Sequence, residues 1–203
     1  VVQAVSAEEI ENQLEQFRGQ IQQTPPAHSA IKIDGERAYA RARRGEIVEM
    51  PSRTVHIHEL KLLSALEGRL DLLVGCSKGT YIRSLAHDLG AALGTGATLA
   101  GLRRTYVGDW NLEQAVPLSD IEGGDASFLM DALRPMSDVV SHFPLLALDD
   151  AQRQHVGHGR RFMMPSAGQG RYRVHSDAGE LMAVVDIESD HTLRVVRGIP
   201  AAD

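Results

Sequence analysis

The apolar positions of the chain change period several times, and each change marks an element. Ile10, Leu14 and Phe17 recur at helical spacing over residues 6–18, and Ser6 with Glu9 three positions on forms a capping box. Gly19 ends that run. Thr24-Pro25-Pro26 forces an extended segment, because neither proline can continue a helix. Residues 28–33 read as a strand, Asp34-Gly35 as a turn, and residues 36–44 as a short helix with Ala38 and Ala42 on one side, closed by Gly45. Val55, Ile57 and residues 60–63 predict another strand. Leu70, Leu72, Val74 and Cys76 alternate with period two, the pattern of a half-buried strand. Ser77-Lys78-Gly79-Thr80 predicts a turn. Ile82, Leu85, Ala86, Leu89 and Leu93 then line one face of a helix that stops at Gly94.

A strand is expected within residues 99–110, and from 111 to 136 the pattern is weak and acidic. Phe143-Pro144 opens a last unit, with a short helix around 151–156 and strands at 170–174, 181–187 and 192–196. Composition and period both change near residue 140, which places a domain boundary between residues 1–139 and 140–203. The expected fold class is α+β: a mixed, mainly antiparallel sheet flanked by helices, followed by a small β-rich domain.

Composition narrows the classes. The chain is 43% hydrophobic, enough to bury a core, yet no stretch approaches the ~20 apolar residues of a membrane helix. No membrane partner is therefore expected. Residues 1–3, Val-Val-Gln, carry neither the charged nor the apolar region of a signal peptide. They also lack an initiator Met, so a segment upstream is expected. The single cysteine, Cys76, permits no internal disulfide and no multi-cysteine zinc site, as suits a cytoplasmic protein. The net charge of −6 argues against a polyanion partner, but its distribution argues the other way. Lys32, Arg37, Arg41, Arg43, Arg44 and Arg53 cluster in one segment, and Lys78, Arg83, Arg103 and Arg104 in another. A locally basic face on an acidic chain is compatible with RNA, although an arginine cluster is more often a solvated face.

The turn at 77–80 carries the most chemistry. Gly79 lets the backbone turn sharply, and Thr80 is placed to cap the new helix. A helix start offers unpaired N–H groups to an anion, and Lys78 adds a charge beside them. The apolar face is already filled by Ile82, Leu85 and Leu89, so Tyr81 and Arg83 must point elsewhere. On the residues alone, an ordinary capped helix with an exposed Tyr and Arg is the commoner outcome. Other constellations fail. The Gly94-x-Gly96 stretch follows a helix and has the wrong spacing for a dinucleotide loop. His56-x-His58 and His155-x-x-His158 lack the further ligands of a zinc site and read as surface or strand histidines, so no metal is expected.

Four stretches shift the balance. CSKGTYIRSLAHDLG at 76–90 resembles the signature of the TruB family of tRNA pseudouridine synthases. QTPPAHSAIK at 23–32, GERAYARARRG at 35–45 and GATLAGLRR at 96–104 are similar to three further segments of that family, in its order and spacing. The tail from about 142 is similar in position to the small PUA-type RNA-binding domain of these enzymes.

The resemblance implies isomerisation of uridine-55 in the tRNA T-loop to pseudouridine, by a cytoplasmic, monomeric enzyme that needs no cofactor. It implies that Tyr81 packs against the flipped-out uridine, with its hydroxyl where a base for the C5 proton is expected. Arg83 would pair with the catalytic aspartate, and Leu102 would line the uridine pocket. Lys32, Arg43 and Arg104 would meet phosphates or shape the rim, with solvated surface roles as the alternative, and Lys78 joins the substrate-binding group. One departure stands out: no aspartate here sits in the family's G-x-L-D-x-x-A-x-G setting, and Asp88 occupies a structural helix position. The expectation is a chain with one wall of the active site, inactive alone, whose partner is an N-terminal segment of the same enzyme. The alternative is a non-catalytic module that binds or folds tRNA.

Overall fold

Ser6 caps the first helix, α1 (Ala7–Leu14). Its hydroxyl accepts from the Glu9 amide at 3.2 Å, and the Glu9 carboxylate accepts from the Ser6 amide at 2.8 Å. Those bonds hold the Glu9 carboxyl below the ordinary glutamate range. The computed structural model in which this is seen describes residues 5–66 and 68–200. The reading of residues 1–3 lies outside the described residues. A 3₁₀ turn, Glu15–Phe17, continues α1, and the chain then enters β1 (Gly19–Gln23). The apolar pattern does not announce this strand, because its inward positions are Ile21 and a buried glutamine, Gln23.

β1 pairs antiparallel with β4 (Arg53–Leu66), from Gly19 opposite Ile57 to Gln23 opposite Arg53. β4 pairs in turn with β5 (Arg69–Cys76), giving a sheet of order β1-β4-β5. Ile10, Leu14 and Phe17 pack with Ile57 and Leu60 of β4 and with Leu85 and Leu89 of α3 (Ile82–Ala92). Each such side chain contributes roughly 1.5–3 kcal/mol on burial. Two bulges interrupt β4, between Ile57 and Glu59 and between Leu62 and Ser64. Each adds a residue and inverts the in/out alternation. Val55 and Ile57 therefore face the core at odd positions and Leu60 and Leu62 at even ones, while Leu63 and Leu66 are left exposed.

The expected strand at 28–33 is only two residues long. β2 (Lys32–Ile33) pairs with β3 (Glu36–Arg37) around Asp34 and Gly35, both left-handed (φ 52° and 85°) as a type I′ hairpin requires. Upstream of it, the Ser29 and Ile31 carbonyls accept from the Tyr39 and Ala38 amides, so these residues feed a helix start rather than a ladder. That helix, α2 (Ala38–Arg43), begins two residues later than its expected start because Glu36 and Arg37 are spent in the hairpin.

α3 ends where the chain folds back on it. The Thr95 and Gly96 amides both donate to the Gly90 carbonyl, at 3.1 and 2.9 Å. A Cβ on Gly90 would lie 2.1 Å from the Ala97 backbone nitrogen. Beyond it, the strand expected within residues 99–110 is reduced to β6 (Tyr106–Val107) and the first residue of a second two-residue strand, Trp110.

Compactness divides the chain into Val1–Val107 and Gly108–Asp203. The boundary expected near residue 140 lies within the second unit. That unit starts with β7 (Trp110–Asn111), then α4 (Leu118–Gly123), α5 (Ala126–Ala132) and α6 (Met136–Val139). None of these three helices buries a residue, so none needs the apolar stripe that would have announced it. α7 (Asp150–Gly157) follows, with an Asp149/Gln152 capping box. Then comes an antiparallel sheet of order β8-β11-β10-β9: β8 (Phe162–Met163), β9 (Gly170–His175), β10 (Leu181–Ile187) and β11 (Thr192–Gly198). Val156, Val174, Val185, Ile187 and Leu193 form its core.

Across this sheet Asp186 accepts two bonds from Arg171, at 2.7 and 2.9 Å, and one from Arg194 at 3.0 Å. The Arg171 guanidinium holds the Asp186 carboxyl below the ordinary aspartate range.

Two expectations follow from this packing. Gly90→Ala loses about 1–3 kcal/mol or more of stability in denaturant unfolding, because the contact is with backbone that cannot move aside cheaply. For Asp186, a depressed folded pKa means stabilisation that is present above the free value of ~3.9 and lost as pH falls through the folded value. Asp186→Asn therefore lowers the thermal midpoint at pH 7, and the gap from the wild-type chain closes as pH is taken below ~4.

Candidate functional site

The site grows from the way β5 ends. The Ser77 amide donates to the His56 carbonyl at 2.8 Å, and the Ser77 hydroxyl accepts from the His56 amide at 3.0 Å, so Ser77 continues the pairing with β4 by one residue. Gly79, at φ +85°, then turns the chain, a conformation that a side chain would strain. Thr80 does not cap α3. Its hydroxyl donates to the Ser77 carbonyl at 2.9 Å and closes the turn. The N-cap is Tyr81, in extended conformation and with no side-chain cap bond.

What holds Tyr81 is Gln23. The Tyr81 amide donates to Gln23 Oε1 at 2.7 Å, and Gln23 Nε2 donates to the Tyr81 carbonyl at 3.1 Å. Gln23 is 1% exposed, so these bonds satisfy an otherwise buried amide. Two further bonds tie the same segments together. Ser84 Oγ donates to the Thr24 carbonyl at 2.8 Å, and Arg83 donates to the His28 carbonyl at 3.0 Å. The QTPPAH and GTYIRS stretches are thereby one constellation in space.

Two guanidiniums lie close to the Tyr81 ring. Arg53 Cζ is 4.9 Å from its centroid and Arg83 Cζ 5.9 Å, both within cation–π range. Arg53 also donates to the Gly79 carbonyl, and its Nε is buried without a partner among the described residues. Arg83 is exposed and makes no ion pair among the described residues. Neither Gln23 nor Arg53 stood out as a site residue in the sequence. Gln23 was one letter of a motif and Arg53 one charge of a cluster, and no local pattern reports a contact 26 or 58 residues away.

The cations of residues 32–53 divide into two sets. Arg44 grips Glu36 through two bonds, at 2.5 and 2.9 Å, and Glu46 at 2.7 Å; Arg41 also reaches Glu46, at 2.9 Å. These guanidiniums hold both carboxyls below the ordinary glutamate range. Lys32 and Arg37 instead stand opposite each other across the β2–β3 pair, a repulsive placement. Arg43 lies over the Tyr39 ring, 5.3 Å from its centroid. Lys78 is exposed at the tip of its turn. Leu102 (64% exposed) and Arg104 lie in a stretch without regular structure, and no hydrogen bond or ion pair among the described residues brings them to Tyr81. His56 and His58 are exposed on β4 with centroids 6.2 Å apart; among the described residues no three His, Cys, Asp or Glu side chains group as metal ligands.

Residues 1–82 match the family model for the TruB family pseudouridylate synthase N-terminal domain. Residues 83–141 match that for the tRNA pseudouridylate synthase B C-terminal domain. The chain belongs to the TruB family. The tRNA pseudouridine synthase B of Azoarcus sp. strain BH72 is 43% identical over 171 residues, 84% of this chain and 57% of that protein. The protein of the same name from Stutzerimonas stutzeri strain A1501 is 43% identical over 193 residues, 92% of this chain and 63% of that protein. This TruB-family chain thus spans about three fifths of the length of these relatives. A solved Cbf5-Nop10-Gar1 complex contains a chain with the same fold, at a TM-score of 0.70 and 24% identity, over 98% of this chain and 63% of that one. The α+β class expected from the sequence is the one observed. No helix among the described residues is long and apolar enough to cross a membrane.

The divided cations give a prediction. Glu46→Gln removes one of the two acidic partners of both Arg41 and Arg44, and added single-stranded RNA is expected to bind the variant more tightly than the wild-type chain. The slope of log affinity against log salt steepens by roughly 0.7 per phosphate newly contacted. An unchanged slope would show that these arginines do not reach the RNA.

Proposed function

We propose that this chain serves in the isomerisation of uridine-55 of the tRNA T-loop to pseudouridine and forms one wall of the active site. The observation that carries the proposal is the Tyr81 ring, held at the start of α3 within cation–π range of two guanidiniums, one of them an Arg83 with no acidic partner among the described residues. The family membership and the tRNA pseudouridine synthase B relatives support it.

A loop uridine leaves its stack at low cost, and its face then meets the Tyr81 ring. Such stacking contributes ~1–3 kcal/mol. The reaction keeps every atom. An aspartate carboxylate attacks C1′ as the N1–C1′ glycosidic bond breaks, the base rotates, C5 bonds to C1′ as the aspartate–C1′ bond breaks, and the C5 proton leaves while N1 takes one up. The Tyr81 hydroxyl stands where a base for that proton is needed. Arg83 spends one donor on the His28 carbonyl and has others left to hold the aspartate ionised and oriented. The proposed aspartate comes from polypeptide beyond these 203 residues. Leu102 completes the pocket when substrate is bound. Lys32, Arg43, Lys78 and Arg104 meet phosphates, and the repulsion between Lys32 and Arg37 is relieved by an anion between them. Residues 140–203 act as a PUA-like RNA-binding domain. The enzyme works as a monomer in the cytoplasm on tRNA and draws on no metal or cofactor.

The test is conversion of a T-loop RNA hairpin, read by mass spectrometry after selective derivatisation of pseudouridine. The chain alone is expected to leave uridine unchanged. Adding the polypeptide that bears the family's aspartate segment is expected to restore conversion, and Tyr81→Ala to abolish it. Conversion by the chain alone would overturn the need for an added aspartate. Tight T-loop binding without conversion in either case would favour a non-catalytic RNA-binding module.

A further inference from the structure

We infer that Gln23 is a positioning residue for Tyr81, acting through the backbone of residue 81 to set where the ring meets RNA. The inference rests on the reading of Tyr81 as the residue that stacks on the target base.

Gln23 closes β1 and faces inward, where an apolar side chain would be ordinary. Its carboxamide is instead engaged at both ends, accepting from the Tyr81 amide and donating to the Tyr81 carbonyl. That is how a neighbouring strand would pair with residue 81, delivered here by a side chain. The need for it follows from the chain on either side. After Gln23 the two prolines carry no N–H, so β1 cannot be extended as a ladder toward α3. Tyr81 is an N-cap in extended conformation without a side-chain cap of its own, so its amide must find an acceptor elsewhere. The α3 register is held separately, by the Ser84 bond to the Thr24 carbonyl and by Leu85 and Leu89 in the core. Gln23 therefore fixes the orientation of one residue rather than the existence of the helix. Arg53 and Arg83 lie within cation–π range of the ring that this residue carries.

The test is a double-mutant cycle on the 203-residue chain, read twice: as affinity for a synthetic T-arm RNA hairpin at fixed salt, and as the thermal midpoint without RNA. Tyr81→Ala is expected to weaken binding roughly tenfold, the loss of one base stack. Gln23→Met, which keeps the volume and removes both bonds, is expected to weaken it roughly fivefold with Tyr81 present. In the Tyr81→Ala background, Gln23→Met is expected to have no further effect on binding. The thermal midpoint behaves differently: Gln23→Met lowers it by the same amount in both backgrounds, because its bonds are to backbone that the Tyr81→Ala chain retains. Should Gln23→Met not fold, Gln23→Asn keeps an amide too short to reach both groups and carries the same expectations. An equal loss of affinity in the wild-type and Tyr81→Ala backgrounds would overturn the inference, since Gln23 would then act independently of the ring. The same holds if Gln23→Met or Gln23→Asn binds like the wild-type chain while Tyr81→Ala does not. If Tyr81→Ala itself binds normally, the reading of Tyr81 fails, and the inference with it.

Discussion

Gln23 sits at the last position of β1 with its carboxamide against the backbone of Tyr81, 1% exposed and with both ends of the amide engaged. A buried carboxamide without partners would cost about 1–3 kcal/mol, so the pairing is strongly preferred. It joins segments 58 residues apart, and two further bonds between the same segments lie beside it. Thr24 and then two prolines follow Gln23, and the prolines have no N–H with which to continue the ladder. Ser84 donates from α3 to the Thr24 carbonyl, and Arg83 to the His28 carbonyl. The extended QTPPAH segment and the start of α3 thus satisfy each other's backbone. The helix end that results carries Tyr81 and Arg83 outward and leaves Leu85 and Leu89 in the core.

Charge is sorted by the same local geometry. The chain is acidic overall, yet around the β2–β3 hairpin the acids are matched with particular arginines. Glu36 and Glu46 take Arg44 and Arg41, which keeps their carboxyls ionised further into acid. Lys32, Arg37 and Arg43 are left over, and the first two are held opposite each other by hairpin register. A net charge is a sum over the molecule, whereas a phosphate responds to what lies within a Debye length of ~8–10 Å. The proposed RNA face is compatible with a net charge of −6 for that reason.

Much of this was legible along the chain. The α1 capping box, the β5 alternation, the apolar face of α3 and the three strands after residue 170 each depend on residues a few positions apart. Their periods survive into the structure because one face of each is buried. The exceptions share a cause. β4 inverts its alternation twice at bulges, so a run of apolar residues at 60–66 is half core and half surface. α4, α5 and α6 bury nothing and show no stripe. β1 places a glutamine where a hydrophobe is expected.

The sequence by itself determined the family, through four motifs in fixed order, and with it the expectation that Tyr81 and Arg83 matter. It also determined the local elements, since helix and strand periods are properties of neighbouring residues. Only the tertiary structure decided what presents Tyr81. The Gln23 clamp, the Arg53 and Arg83 guanidiniums on its ring and the denial of a capping role to Thr80 all arise from segments brought together across the fold. Such contacts answer to where buried polar groups find partners, and spacing along the chain carries no record of that.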